Sequence, residues 1–189
     1  SGRGHKYPVR SMSVVGSSSN FELVSASSDG MVCTWDLSAS TLTEPVRWSM
    51  ASCARTDAFP AGPVHISALA FDKGTAANPL EARRLFMGTQ AGGLLESPLP
   101  LSGDSVQLSQ VSGHDGTITG LHVHPRQGQG KGFSHLLLSS SVDWTVKLWN
   151  TDKGLQGMQA GPLLEFRNNT YDYVVDVAWS HVNPTVFAT

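Results

Sequence analysis

The stretch Ser139-Ser-Ser-Val-Asp143-Trp-Thr-Val-Lys-Leu-Trp149-Asn150 repeats, with changes, an earlier one, Ser25-Ala-Ser-Ser-Asp29-Gly-Met-Val-Cys-Thr-Trp35-Asp36. In both, a serine stands four residues before an aspartate and a tryptophan follows six after it. Working outward, Gly4-His5 precedes Val9 at the spacing by which Gly113-His114 precedes Ile118. A degenerate copy lies between them. Ile66-Ser-Ala-Leu-Ala-Phe71 matches Ile118-Thr-Gly-Leu-His-Val123, and Met87-Gly-Thr-Gln-Ala-Gly-Gly-Leu-Leu-Glu-Ser97 matches the serine-to-tryptophan stretch. A fourth copy opens at Val174-Val-Asp-Val-Ala-Trp179.

Each copy alternates apolar and polar residues between turn formers, the pattern of half-buried strands. The reading is 9–15, 21–26, 31–36 and 45–50 for the first copy, and 64–71, 84–88, 93–97 and 106–111 for the second. The third gives 117–123, 135–140, 145–150 and 163–167; the fourth gives only 174–179 and 185–189. Glycine-histidine, then about thirty residues, then tryptophan-aspartate is the signature of a WD-repeat blade. The fold expected is therefore all-β, a partial ring of about three and a half four-stranded propeller blades. Their approximate bounds are 5–50, 62–111, 114–167 and 170–189, the last incomplete. Irregular insertions are expected at 51–63, 72–83 and 125–134, with room for one helical turn within 73–84.

Composition agrees with many short strands and tight turns. The chain of 189 residues is 40% hydrophobic and only 15% charged, with 19 glycines and 10 prolines. A formal charge of −2 gives no broad attraction to nucleic acid or an anionic membrane. No apolar run reaches the ~20 residues that span a bilayer. Two cysteines, Cys33 and Cys53, cannot frame a disulfide scaffold and suit a reducing compartment. Asn168-Asn169-Thr170 matches a glycosylation sequon, read as chance in such a compartment.

In WD folds the repeated residues form one hydrogen-bonded chain. That assigns a structural network to His5, Ser25, Asp29 and Trp35 in the first copy, and to His114, Ser139, Asp143 and Trp149 in the third. The second copy puts Gly62, Met87, Ala91 and Ser97 at those four positions, so it is expected to rest on apolar packing alone and to be the loosest. A Ser-His-Asp set also suggests nucleophilic catalysis. The repeat itself explains these residues, and neither serine sits in a Gly-x-Ser-x-Gly elbow, so no enzyme activity is expected.

Other features read as bland. His122 and His124 have a spacing that can bind zinc, but no third ligand accompanies them, and they are taken as surface-facing. Gly128-Gln-Gly-Lys-Gly132 lacks the hydroxyl residue of a phosphate loop and reads as a hairpin loop. Arg83-Arg84 reads as a solvated pair. No cofactor or metal is expected. Trp144 falls at the apex of a hairpin, and Tyr7, Tyr171 and Tyr173 fall in loops expected on the same face. These four form the candidate partner-contact set, since grouped exposed aromatics mark binding surfaces.

One family is resembled more closely than WD repeats at large. Gly113-His-Asp-Gly-Thr-Ile-Thr-Gly-Leu-His122 and Phe133-Ser-His-Leu-Leu-Leu-Ser-Ser-Ser-Val-Asp-Trp-Thr-Val-Lys-Leu-Trp149 resemble the C-terminal propeller of cytoplasmic dynein intermediate chains. Tyr173-Val-Val-Asp-Val-Ala-Trp-Ser180 and Gly4-His-Lys-Tyr-Pro-Val-Arg-Ser-Met12 are similar to that family too. The likeness is strong at 113–189 and 4–36 and thin at 40–110. It implies a non-motor scaffold subunit of a microtubule motor, cytoplasmic and cytoskeleton-associated, whose propeller grips the dynein heavy-chain tail. Axonemal intermediate chains share much of the pattern, and a peptide-reading WD adaptor of another complex is the alternative class. An adaptor for phosphopeptides would want clustered arginines on the turn face, where this sequence offers aromatics. Open blade edges carry unpaired backbone groups and apolar faces, so self-association is also expected.

Overall fold

The computed structural model describes residues 4–16, 20–38, 44–50, 64–73, 82–99, 101, 109–125, 133, 135–152, 161–167 and 172–189. Among them run fourteen strands. The first sheet holds β1 (Val9–Gly16), β2 (Phe21–Ser27), β3 (Met31–Asp36) and β4 (Val46–Ser49). The second holds β5 (Ile66–Lys73), β6 (Ala82–Thr89), β7 (Gly93–Pro98) and β8 (Ser109–Ser112). The third holds β9 (Ile118–Val123), β10 (Leu136–Ser141), β11 (Val146–Asn150) and β12 (Leu164–Phe166). A two-stranded ladder of β13 (Ala178–Trp179) and β14 (Phe187–Ala188) follows. Every sheet is antiparallel and ordered as in sequence.

Because strand side chains alternate, the second sheet buries both faces. Leu69, Phe71, Leu85, Met87 and Leu95 pack on Val15, Val24, Ala26 and Val32 of the first sheet. On the opposite face Ala68, Ala70, Phe86 and Leu94 meet Leu121, Val123, Leu137 and Trp149 of the third. Leu136, Leu138 and Val146 then pack on Val174, Val177 and Trp179. The first strands of neighbouring sheets lie side by side: Ser67 on β5 donates its hydroxyl to the Ile118 carbonyl on β9, at 2.6 Å. Burial of these apolar faces is the main stabilising term at each sheet junction. Among the described residues nothing covers the outer face of the first sheet in this way, and Met12 and Val14 are exposed there.

Three strand expectations need correction. β5 continues through Lys73 and β6 begins at Ala82, so 72, 73, 82 and 83 belong to strands. That removes both ends of the expected 72–83 insertion and of the helical turn within 73–84; residues 74–81 lie outside those described. The fourth copy's first strand contracts from 174–179 to Ala178–Trp179. Its leading residues are held by β9 and β10 instead: Val174 N–H donates to Ser141 O at 3.2 Å, and Thr119 Oγ1 donates to Val174 O at 2.5 Å.

Candidate functional site

Register places the repeated residues. Leu23 pairs with Trp35 and Ser25 with Cys33 across the first sheet; Leu137 pairs with Trp149 and Ser139 with Lys147 across the third. In both sheets the serine and the tryptophan therefore project from the same face. Trp149 Nε1 donates to Ser139 Oγ at 2.8 Å, and that hydroxyl lies 2.7 Å from His114 Nε2. His114 Nδ1 faces the Asp143 carboxylate at 3.0 Å. A carboxylate only accepts, so Nδ1 carries the proton and Nε2 accepts from Ser139. The first sheet repeats the set: Trp35 Nε1 to Ser25 Oγ at 3.0 Å, Ser25 Oγ to His5 Nε2 at 2.9 Å, and His5 Nδ1 to Asp29 at 3.5 Å.

The aspartate also ties the turn. Asp29 accepts from the Lys6 and Met31 amides at 2.8 and 2.9 Å, and Asp143 from the Asp115 and Thr145 amides, both at 3.0 Å. Sequence reasoning missed four supporting residues. Ser27 and Ser141 accept from the Asp29 and Asp143 amides. Thr145 Oγ1 donates to Asp143 at 2.7 Å, and Lys147 Nζ donates to Gly113 O at 2.8 Å.

Burial sets the electrostatics. The His114 side chain is wholly shielded, and desolvation drives its pKa down to about 4 although Asp143 opposes the shift. His114 is thus neutral at pH 7. Burial pushes Asp143 upward, but the Thr145 hydroxyl, His114 and the Asp115 amide together hold it below the usual carboxylate range. Burial acts on Asp29 likewise, and the Lys6 and Met31 amides outweigh it. Cys33, fully buried beside His5, has its thiol pKa raised by burial. Ser139 has no exposed surface and already receives the Trp149 indole N–H. The set ties strands together instead of presenting a nucleophile.

The second sheet departs from the expectation of apolar packing alone. Where Ala91 leaves no carboxylate, Thr89 Oγ1 accepts the Gly93 amide at 2.9 Å. Arg84, expected to be solvated, sits a quarter exposed between two acids and the third sheet. It donates to Asp72 at 2.7 and 3.0 Å, to Glu96 at 3.2 Å and to the Thr151 carbonyl at 2.6 Å, with its guanidinium 5.4 Å from the Phe86 ring centre. β5, β6 and β7 supply these groups, and Thr151 closes the clasp across the sheet junction. Ser97 is buried at the tryptophan position, bonded only locally to Pro98 O. Gly62 lies outside the described residues.

The two histidines with zinc-like spacing are not surface-facing. His122 Nδ1 accepts the Trp179 amide at 2.8 Å, and the His122 carbonyl accepts the Trp179 indole at 3.1 Å. His124 is buried, donates from Nε2 to Pro184 O at 2.8 Å and packs its ring edge-on to Trp179. Both fasten the β13–β14 ladder. No group of three His, Cys, Asp or Glu among the described residues is placed to hold a metal.

Of the aromatic set, Tyr7, Trp144 and Tyr173 are 64%, 50% and 62% exposed; Tyr171 lies outside the described residues. Tyr7 adjoins the first sheet's turn, its carbonyl accepting from Ser27 Oγ at 3.0 Å. Trp144 and Tyr173 flank the third sheet's turn, since Val174 bonds to Ser141. The same turn position has positive φ in all three sheets: Gly30 at 75°, Gly92 at 82° and Trp144 at 69°. Glycine adopts this freely, whereas a side chain there costs about 1 kcal/mol.

Residues 1–36 and 105–150 match the family model described as WD domain, G-beta repeat. Over 194 residues, covering 100% of the chain, the sequence is 34% identical to the cytoplasmic dynein 1 intermediate chain of Drosophila melanogaster. The chain spans 25% of that relative's length. Among solved structures it is similar to the RRP9 WD40 repeats (TM-score 0.61, 19% identity, 92% of this chain and 42% of that one). A chain of the mitotic checkpoint complex gives TM-score 0.60 at 16% identity over 95% of this chain and 44% of the other. At those identities the structures speak for the fold alone, a partial WD-repeat propeller whose blades are the sheets described above. With the two matched networks, the chain is a partial WD-repeat propeller that is similar along its whole length to a cytoplasmic dynein intermediate chain.

Proposed function

We propose that this chain is a non-catalytic scaffold portion of a dynein motor complex, its propeller blades gripping the heavy-chain tail in support of microtubule-based transport. The observation that carries the reading is the 34% identity running through the whole chain. The Asp143-to-Trp149 run supports it, because there the sequence most resembling the family also builds the most buried network. A serine and a histidine used up in a buried, neutral hydrogen-bonded chain favour a scaffold over a hydrolase. The working compartment under this reading is the cytoplasm, on the cytoskeleton. No helix among the described residues is long and apolar enough to cross a membrane.

The contact surface proposed is the turn rim bearing Tyr7, Trp144 and Tyr173. Large rings exposed around hairpin turns supply apolar contact area at low entropic cost. Co-precipitation tests the proposal: the 189-residue chain retains a recombinant cytoplasmic heavy-chain tail. Retention of an axonemal tail instead would reassign the chain within the family. Retention of neither would favour an adaptor of another complex.

A further inference from the structure

We propose that the third-blade rim around Trp144 takes an arginine-bearing segment of its protein partner. The inference rests on reading this rim as a partner contact, and adds the chemistry of what it holds. Two exposed aromatic residues lie near the Ser141 end of β10: Trp144 in the turn that follows it, and Tyr173 next to Val174, whose amide bonds to Ser141 O. Two exposed aspartates adjoin them: Asp115, whose amide is bonded to Asp143, and Asp172, directly before Tyr173. Among the described residues of this blade, the cations are already engaged. Lys147 turns its ammonium inward to Gly113 O and Glu165, and exposed Arg167 pairs with Glu165. Of the remaining acids, Asp143 is committed to His114 and Thr145, while Asp176 is exposed on the adjoining segment.

The rim therefore presents aromatic faces within a negative surround. A guanidinium matches both features, because it stacks flat on a ring while its N–H fork pairs with a carboxylate; an ammonium pairs but does not stack. The backbone points the same way. The sister turns use glycine at the left-handed position, and only the third blade places a large ring there. That choice works against turn stability and so calls for a return elsewhere.

The test titrates a short peptide of alternating glycine and arginine into the isotope-labelled 189-residue chain. Its lysine and citrulline counterparts run in parallel, and the readout is the Trp144 indole signal, assigned by its loss in Trp144→Gly. Arginine should move that signal at ~10-fold lower concentration than citrulline, and lysine should fall between. Asp115→Asn with Asp172→Asn should weaken the arginine peptide by about the same factor. Equal response to arginine and citrulline, or no change in the double variant, overturns the proposal. If Trp144→Ser still abolishes heavy-chain binding in that case, the contact surface stands and only its arginine preference falls. Unchanged heavy-chain binding by Trp144→Ser removes the contact reading and this proposal with it.

Discussion

His114 donates from Nδ1 to the Asp143 carboxylate at 3.0 Å, yet the histidine is neutral because its side chain is cut off from water. The sign of its pH effect follows. A histidine with pKa 6.5 when unfolded and about 4 when folded binds more protons in the unfolded chain between those values. Its contribution is fully present above pH 6.5 and is lost as pH falls towards 4. The integrated loss is about 3 kcal/mol. Urea melts at pH 7 and pH 4.5 should show it, and His114→Asn should flatten the slope in that window. Asp143, held low, adds its own loss only further into acid.

Trp149→Ala should cost ~3–5 kcal/mol, since it removes a fully buried ring and leaves Ser139 Oγ without its indole donor. Ser97→Ala, at the same register position of the second blade, should cost under ~1 kcal/mol. Denaturant midpoints decide between them. Equal losses would show that the two positions are not equivalent.

Arg84→Met should destabilise by about 2–3 kcal/mol, because Asp72 and Glu96 both lose the guanidinium in a mostly shielded site; the quarter exposure of Arg84 moderates the effect. Adding Asp72→Asn should recover part of the loss. A double-mutant cycle with no coupling would mean that Glu96 and Thr151, not Asp72, hold the guanidinium.

The two matched networks were legible in the sequence because serine, aspartate and tryptophan recur at fixed spacing within one hairpin. The Arg84 clasp was not. Its closing partner is a backbone carbonyl 67 residues away, which no side-chain pattern records. His122 and His124 misled for a related reason: their partners, Trp179 on β13 and Pro184 in the turn after it, come more than fifty residues later. The short β13 was not legible either, since the bonds of Val174 to Ser141 and Thr119 join it to other strands. The backbone of Trp144 could be read by aligning it with Gly30, but its exposure could not.

Met12, 66% exposed beside Val14 on the uncovered face of the first sheet, offers an apolar surface to a second copy. Light scattering of the 189-residue chain should report a mass that rises with concentration. Met12→Glu should reduce that rise while shifting the melting temperature little. A monomer at all concentrations would mean that the face stays solvated.

The most direct measurement sets binding against folding in one variant. Trp144→Ser removes a half-exposed ring from a turn position that sister blades give to glycine. Titration calorimetry with purified heavy-chain tail should show affinity falling at least ~10-fold, the range of an aromatic hot spot, while the melting curve stays almost unchanged. A lower melting temperature with full affinity would contradict the account, placing Trp144 in blade packing and the grip on the motor elsewhere.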